Sequence, residues 1–174
     1  MKQVYLLTGS PGSGKTTIIK EAVARLEGSA GGFYTEEIRA YGVRQGFRIV
    51  TLNGQNAILA HVNADSPCRV SKYGVEVGNL DKVGVSAIQQ ATRECDMVVI
   101  DEIGKMELFS PCFMDAVLEA IDSGKRVLGT IMLSSHPWAD NIKHDLRVAL
   151  LTVTRMNRNQ VRDEVLHWLM GQAV

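Results

Sequence analysis

Between an apolar run, Val4-Tyr5-Leu6-Leu7, and a stretch of helical periodicity stands Gly9-Ser10-Pro11-Gly12-Ser13-Gly14-Lys15-Thr16. Four residues separate Gly9 from Gly14, and Lys and Thr follow at once. That spacing suits a loop that wraps phosphate oxygens. Gly9, Gly12 and Gly14 lack the side chains that would block the close approach of backbone to an anion. The N–H groups they free lie at a helix N-terminus, where partial positive charge favours a phosphate. Lys15 adds an ammonium for the β- and γ-phosphates, and the Thr16 hydroxyl is a ligand for Mg²⁺. These residues predict a nucleoside triphosphate as the bound molecule.

A second constellation lies far along the chain. Met97-Val98-Val99-Ile100 is a continuous apolar run, as in a strand buried on both faces, and it ends in Asp101-Glu102. Such a strand delivers its acids to the carboxyl edge of a parallel sheet, where the phosphate loop also lies. Asp101 is then placed to hold Mg²⁺ with Thr16, and Glu102 to act as general base for a water attacking the γ-phosphate. Lys15 and Glu102 are the expected catalytic pair. The four histidines have no metal-ligand spacing, and Mg²⁺ is the one metal expected.

The elements that must position these groups follow from periodicity. Ile18, Ile19, Ala22, Val23 and Leu26 predict a helix from Lys15 to Glu27, with Gly28 as its C-cap. Turn signals at Tyr41-Gly42 and Asn53-Gly54 separate strand-like segments at 36–40, 47–52 and 57–62. They predict an antiparallel β-meander, a β-rich insertion over 33–77, with one more short strand at 73–77. Asn79 is expected to cap a helix through Arg93 bearing Leu80, Val83, Ala87, Ile88 and Ala91 on one face. Ser110-Pro111 starts another, with Phe113, Met114, Val117, Leu118 and Ile121 inward and Gly124 as its stop. Strands follow at 127–132 and 148–153, an irregular, partly helical stretch at 134–144, and a last helix at about 160–170. Alternating strands and helices predict a doubly wound α/β sheet.

The chain of 174 residues, 45 % hydrophobic and 22 % charged, is long enough for one domain with a real core, 1–174. Its formal net charge of zero gives no general attraction to nucleic acid or acidic membrane. No apolar run approaches the ~20 residues of a membrane span, and no signal peptide opens the chain. Three scattered cysteines, without a C-x-x-C pair, read as reduced thiols. A cytoplasmic monomer is expected, with no nucleic acid or membrane partner.

Beyond the phosphate loop, Gly32-Phe33-Tyr34-Thr35-Glu36-Glu37, Asp101-Glu102-Ile103-Gly104-Lys105-Met106-Glu107-Leu108, Gly129-Thr130-Ile131 and Asn157-Arg158 stand in order. Together they resemble the small nucleoside-triphosphatase family of thermophiles, whose vertebrate relative is the cancer-related nucleoside triphosphatase. The resemblance spans nearly the whole chain. It implies Mg²⁺-dependent hydrolysis of several nucleoside triphosphates, with little base selectivity, on a three-layer α/β/α phosphate-loop fold. The sheet it implies is RecA-like and mostly parallel. It also implies nucleotide contacts at Gly9, Ser10, Pro11, Gly12, Ser13, Gly14, Lys15 and Thr16, and along Val98, Val99, Ile100, Asp101, Glu102, Ile103 and Gly104. The stretch from Met132 to Trp138 departs from the family's Pro- and Lys-rich loop, so contacts from that loop do not carry over.

Lesser candidates have two readings each. Lys105 reaches a γ-phosphate or sits in solvent; Glu36 and Glu37 position water or metal if the meander folds over the site. Arg155 and Arg158 contact the nucleotide or are surface residues before the last helix. Asn157 bonds the base or caps the helix, and Trp138 stacks on a base or packs inside. No Asn-Lys-x-Asp guanine signature is present. Two other functional classes share these motifs: a small-molecule or nucleotide kinase, for which Arg39, Arg44 and Arg48 would supply a lid, and a nucleotide-dependent switch.

Overall fold

The computed structural model describes residues 1–171; the last three residues of the expected 1–174 domain lie outside the described residues. The chain runs β1 (Val4–Thr8), α1 (Lys15–Arg25), β2 (Ala30–Ala40), β3 (Val43–Thr51), β4 (Asn56–His61), β5 (Arg69–Val70) and β6 (Tyr73–Val75). It continues through α2 (Val77–Asn79), a π-helical segment (Leu80–Val85), α3 (Ser86–Glu94) and β7 (Met97–Ile103). A 3₁₀ turn (Glu107–Phe109) leads into α4 (Pro111–Asp122), β8 (Arg126–Ile131), α5 (Pro137–Lys143), β9 (Val148–Thr152) and α6 (Arg158–Leu169).

All nine strands form one sheet in the order β5-β6-β4-β3-β2-β7-β8-β1-β9. The five strands from β2 to β9 in that order are parallel, and β3, β4, β6 and β5 extend the sheet antiparallel beyond β2. Strand β8 lies between β1, which leads into the phosphate loop, and β7, which carries the acid pair. The meander is therefore a continuation of the central sheet. Its first strand starts before residue 33: Ala30–Phe33 pair parallel with Met97–Ile100, and the same strand then pairs antiparallel with β3. The junction needs glycine. Gly32 has φ +111°, and a Cβ there would run into the Val99 carbonyl oxygen of β7.

Alternation along the buried strands assigns the two layers. Val98 and Ile100 face a core with Phe33, Ile88, Phe113 and Val117, under the helices from α3 to α5. Met97 and Val99 face the opposite core, with Ile18, Ile19, Val161 and Val165 of α1 and α6. Tyr5 stacks on Trp168 with ring centroids 4.3 Å apart, which ties the C-terminal helix to β1. A three-layer α/β/α arrangement results, as the resemblance implied.

Local signals decide some helix ends and tertiary contacts decide others. The Ser110 hydroxyl accepts from the Phe113 N–H at 2.9 Å, with Pro111 in the first helical position, as the cap-and-proline pattern indicates. Gly124 follows that helix at φ +73°. Its inward face is Phe113, Ala116, Val117, Ala120 and Ile121; Leu118 is 37 % exposed and lies outside that face. Gly28 does not cap α1, because the helix already ends at Arg25 with Leu26 extended. Asn79 does not cap a helix either. Helical structure begins at Val77, and the Asn79 amide donates to the Ile58 carbonyl at 2.9 Å, fastening the helix to β4.

Candidate active site

At the end of β1 the chain turns through Gly9 (φ +150°), Gly12 (φ +76°) and Gly14 (φ +102°) into α1. These positive values are why the loop needs glycine at those points. The Lys15 ammonium bends back over the loop and donates to the carbonyls of Gly9 (2.9 Å) and Ser10 (3.0 Å). Ser13 is buried in the loop.

Two strands away, Asp101 is held from three elements. Thr16 of α1 donates to its Oδ2 at 2.6 Å, and Thr130 of β8 donates to its Oδ1 at 2.6 Å. Thr35 of β2 donates to its backbone carbonyl at 2.7 Å. The Asp101–Glu102 peptide is cis. Asp101 is only 4 % exposed. Burial pushes its carboxyl up, opposed by the hydroxyl donors Thr130 and Thr16 and by the Lys15 charge. Burial and the adjacent Asp101 charge push Glu102 up as well, with Lys15 opposing. A third acid lies behind them. Glu107 is 3 % exposed, accepts from the Gly104 N–H at 3.2 Å, and is pushed up to about 8 by burial and then by Glu102.

A cavity of about 680 Å³ opens on this cluster. Gly9, Ser10, Pro11, Gly12, Lys15 and Thr16 form one side, and Asp101, Glu102 and Lys105 another. It continues under the meander to Thr35 and Glu37 of β2, Arg44 and Phe47 of β3, Leu59 and Val70. Arg44 closes that end. Its Nε donates to the Tyr73 hydroxyl at 2.9 Å, its Nη1 donates to Glu37 at 3.2 Å, and its guanidinium stands over the Phe47 ring at 5.1 Å.

Most of the sequence-derived candidates converge here. Lys105 is exposed and lines the cavity, as does Glu37. Glu36 does not: strand alternation turns it to the other face, where it pairs with Lys20 at 3.4 Å. Val98, Val99, Ile100 and Ile103 do not line the cavity. Their side chains are fully buried in the two cores, and their part is to carry Asp101 and Glu102 to the edge. Gly104 contributes its N–H to Glu107. Arg158 begins α6 with its side chain beside Gly14 and does not line the cavity, and Arg155 is exposed nearby. Asn157 is spent on its own turn: its Oδ1 accepts from the Thr154 N–H at 2.7 Å and its amide donates to the Thr152 carbonyl at 2.9 Å. Trp138 is partly buried against the core and does not line the cavity.

Sequence reasoning missed the roles of Thr35, Thr130, Glu107 and Arg44. Thr130 has the clearest signal in retrospect, a hydroxyl near the end of β8 (Arg126–Ile131), which is apolar after its first residue. Among the described residues no three His, Cys, Asp or Glu side chains converge as a metal cage. The oxygen donors present, Thr16 and Asp101, suit a small hard cation that keeps water and phosphate oxygens in its shell. No helix is long and apolar enough to cross a membrane among the described residues.

A family model described as NTPase matches residues 4–166. The chain is 47 % identical to nucleoside-triphosphatase THEP1 of Thermotoga sp. (strain RQ2) over 161 residues, 92 % of each chain. It is 37 % identical to the cancer-related nucleoside-triphosphatase of Homo sapiens over 184 residues, 95 % of this chain and 96 % of that protein. The crystal structure of THEP1 from the hyperthermophile Aquifex aeolicus superposes with a TM-score of 0.87 at 36 % identity, covering 95 % of this chain and 98 % of that one. With the phosphate loop, the threonine-held aspartate and a family match along nearly its whole length, the chain belongs to the NTPase family.

Proposed function

We propose that this chain hydrolyses nucleoside 5′-triphosphates to the diphosphate and phosphate, with Mg²⁺ and low base selectivity. The observation that carries this is the convergence of Lys15, Thr16, Asp101 and Glu102 on one cavity edge, with both Asp101 oxygens held by threonine hydroxyls. The loop N–H groups receive the phosphates, and Lys15 exchanges its carbonyl partners for β- and γ-phosphate oxygens. Thr16 and Asp101 would hold Mg²⁺, which when bound neutralises charge on the phosphates. Glu102 accepts the proton of the attacking water. A carboxylate shielded from solvent beside a second acid is a stronger base than a free one, which suits that task.

Low base selectivity is supported by the absence of a guanine-reading motif and by Asn157, whose side chain is occupied within its turn. ATP and GTP should compete for a fluorescent nucleotide within about a factor of ten of one another. A selectivity above about a hundredfold refutes that part.

Phosphate release from a Mg²⁺-nucleotide panel, measured beside binding, tests the reaction. Glu102→Gln should bind as wild type does and lose roughly 10²–10⁴-fold in release. Lys15→Ala should lose both. Wild-type rates in Glu102→Gln would remove Glu102 as the base, and tight binding without release by wild type would overturn hydrolysis.

A further inference from the structure

The cavity of about 680 Å³ is in the range of a ligand site, and it takes in both the phosphate-loop edge and a part that continues under the meander. Its placement matters more than its size. In a phosphate loop the backbone cradles the α- and β-phosphates and the lysine reaches the γ-phosphate. Lys15 and Glu102 line the cavity, so the γ-phosphate projects into it. Arg158 lies beside Gly14, and neither residue lines the cavity, so the nucleoside is assigned to that flank of the loop. The space under the meander is therefore left over once a triphosphate is in place, and it adjoins the reacting phosphorus.

Its walls indicate what fits. Phe47, Leu59, Val70 and Met106 present ring, hydrocarbon and thioether surface. The polar groups gather toward the two ends: Asp101, Glu102 and Lys105 toward the phosphate loop, and the Arg44–Glu37 pair at the far rim. Arg44 is committed to Glu37 and Tyr73, Lys105 stands among carboxylates, and carboxylates lie at both ends, so an anionic molecule finds poor reception. A neutral molecule with a flat apolar body and a hydroxyl directed to Glu102 matches both.

We propose that this compartment binds an uncharged alcohol of roughly nucleoside size, built on an aromatic or alicyclic body, as acceptor of the γ-phosphoryl group. It rests on the triphosphate site proposed above and adds a second substrate to it. The acceptor oxygen bonds to the γ-phosphorus as the bond from that phosphorus to the β,γ-bridging oxygen breaks. The electron pair of the broken bond leaves on the diphosphate, and the hydroxyl proton passes to the Glu102 carboxylate. Water then takes the same course when the compartment holds no acceptor.

The test uses the full chain with Mg²⁺ and ATP labelled in the γ-phosphate, and follows label into phosphate and into phosphoester. The probes are adenosine, uridine, thymidine, benzyl alcohol and cyclohexanol, with glycerol as a polar control. Label should enter an ester of at least one cyclic probe, saturably. Phe47→Ala removes an aromatic wall and Val70→Trp fills the compartment. Each should lower transfer at sub-saturating acceptor by about tenfold or more, while acceptor-free phosphate release stays within about twofold of wild type. Unchanged release also shows that the variants are folded. Label only in phosphate with every cyclic probe overturns the acceptor proposal and leaves hydrolysis standing. Transfer unaffected by Val70→Trp also overturns it, since the acceptor would then sit elsewhere. Failure to bind ATP at all sinks the triphosphate reading, and the acceptor proposal with it.

Discussion

Glu107 makes the stability of this protein depend on pH in a direction opposite to that of a salt-bridged acid. Its carboxyl lies in the turn after β7, 3 % exposed, close enough to Glu102 for their charges to repel. The pKa rises from 4.5 to about 8, through burial first and Glu102 second. Below pH 4.5 both folded and unfolded chains hold this proton, and Glu107 adds no slope. Between 4.5 and about 8 the unfolded chain releases it and the folded chain keeps it, so stability falls as pH rises. Above about 8 the loss is complete and constant. At ~1.4 kcal/mol per pH unit, the full effect has a ceiling of about 5 kcal/mol. Glu107→Gln keeps the shape and an oxygen for the Gly104 N–H but has no proton to lose. Urea unfolding of both proteins at pH 5, 6.5 and 8, free of nucleotide and Mg²⁺ and at constant ionic strength, gives the comparison. The stability of the variant relative to wild type should climb steadily across that range, by several kcal/mol in all. Burying an amide changes the intercept and leaves this slope intact. Parallel curves for the two proteins would show that Glu107 titrates normally, and the account of its burial would fail.

Other perturbations follow from single contacts. Thr130→Val keeps the volume of a fully buried side chain and removes a donor from Asp101 Oδ1, so it should destabilise by ~1.5–3 kcal/mol at neutral pH in chemical denaturation. That loss should shrink in acid, where protonation relieves Asp101; a pH-independent loss would assign the cost to packing. Gly32→Ala should cost about 3 kcal/mol or more, since it combines a positive φ with a collision against the β7 backbone. A wild-type denaturation midpoint would contradict the close approach of β2 and β7. Ser110→Ala should lower stability by about 1 kcal/mol through loss of the α4 cap, and a threonine at 110 should restore most of it.

What the sequence by itself determined were features written in contiguous residues. Gly9 to Thr16 specify their own backbone, because only glycine takes positive φ freely and because the helix they open is amphipathic. Met97–Ile100 declare a doubly buried strand, and the acids that follow it must then emerge at the sheet edge. Ser110-Pro111 cap their helix through atoms three residues apart. The doubly wound sheet, most of its strands and the loop–acid pairing came from signals of this range.

Only the tertiary structure decided how Asp101 is held, because its donors Thr16, Thr35 and Thr130 come from three elements and their hydroxyls acquire a role only when those elements adjoin. Helix register was likewise settled at a distance: Asn79 reads as a cap locally, yet its amide is claimed by β4. The raised pKa of Glu107 exists only because the packed chain excludes water from it and brings Glu102 near. The compartment under the meander is the fullest case. Phe47, Leu59, Val70 and Met106 form its wall from segments that no local pattern relates. Periodicity reports which side chains leave water, whereas a cavity depends on where packed side chains fail to meet, and that is a property of the whole fold.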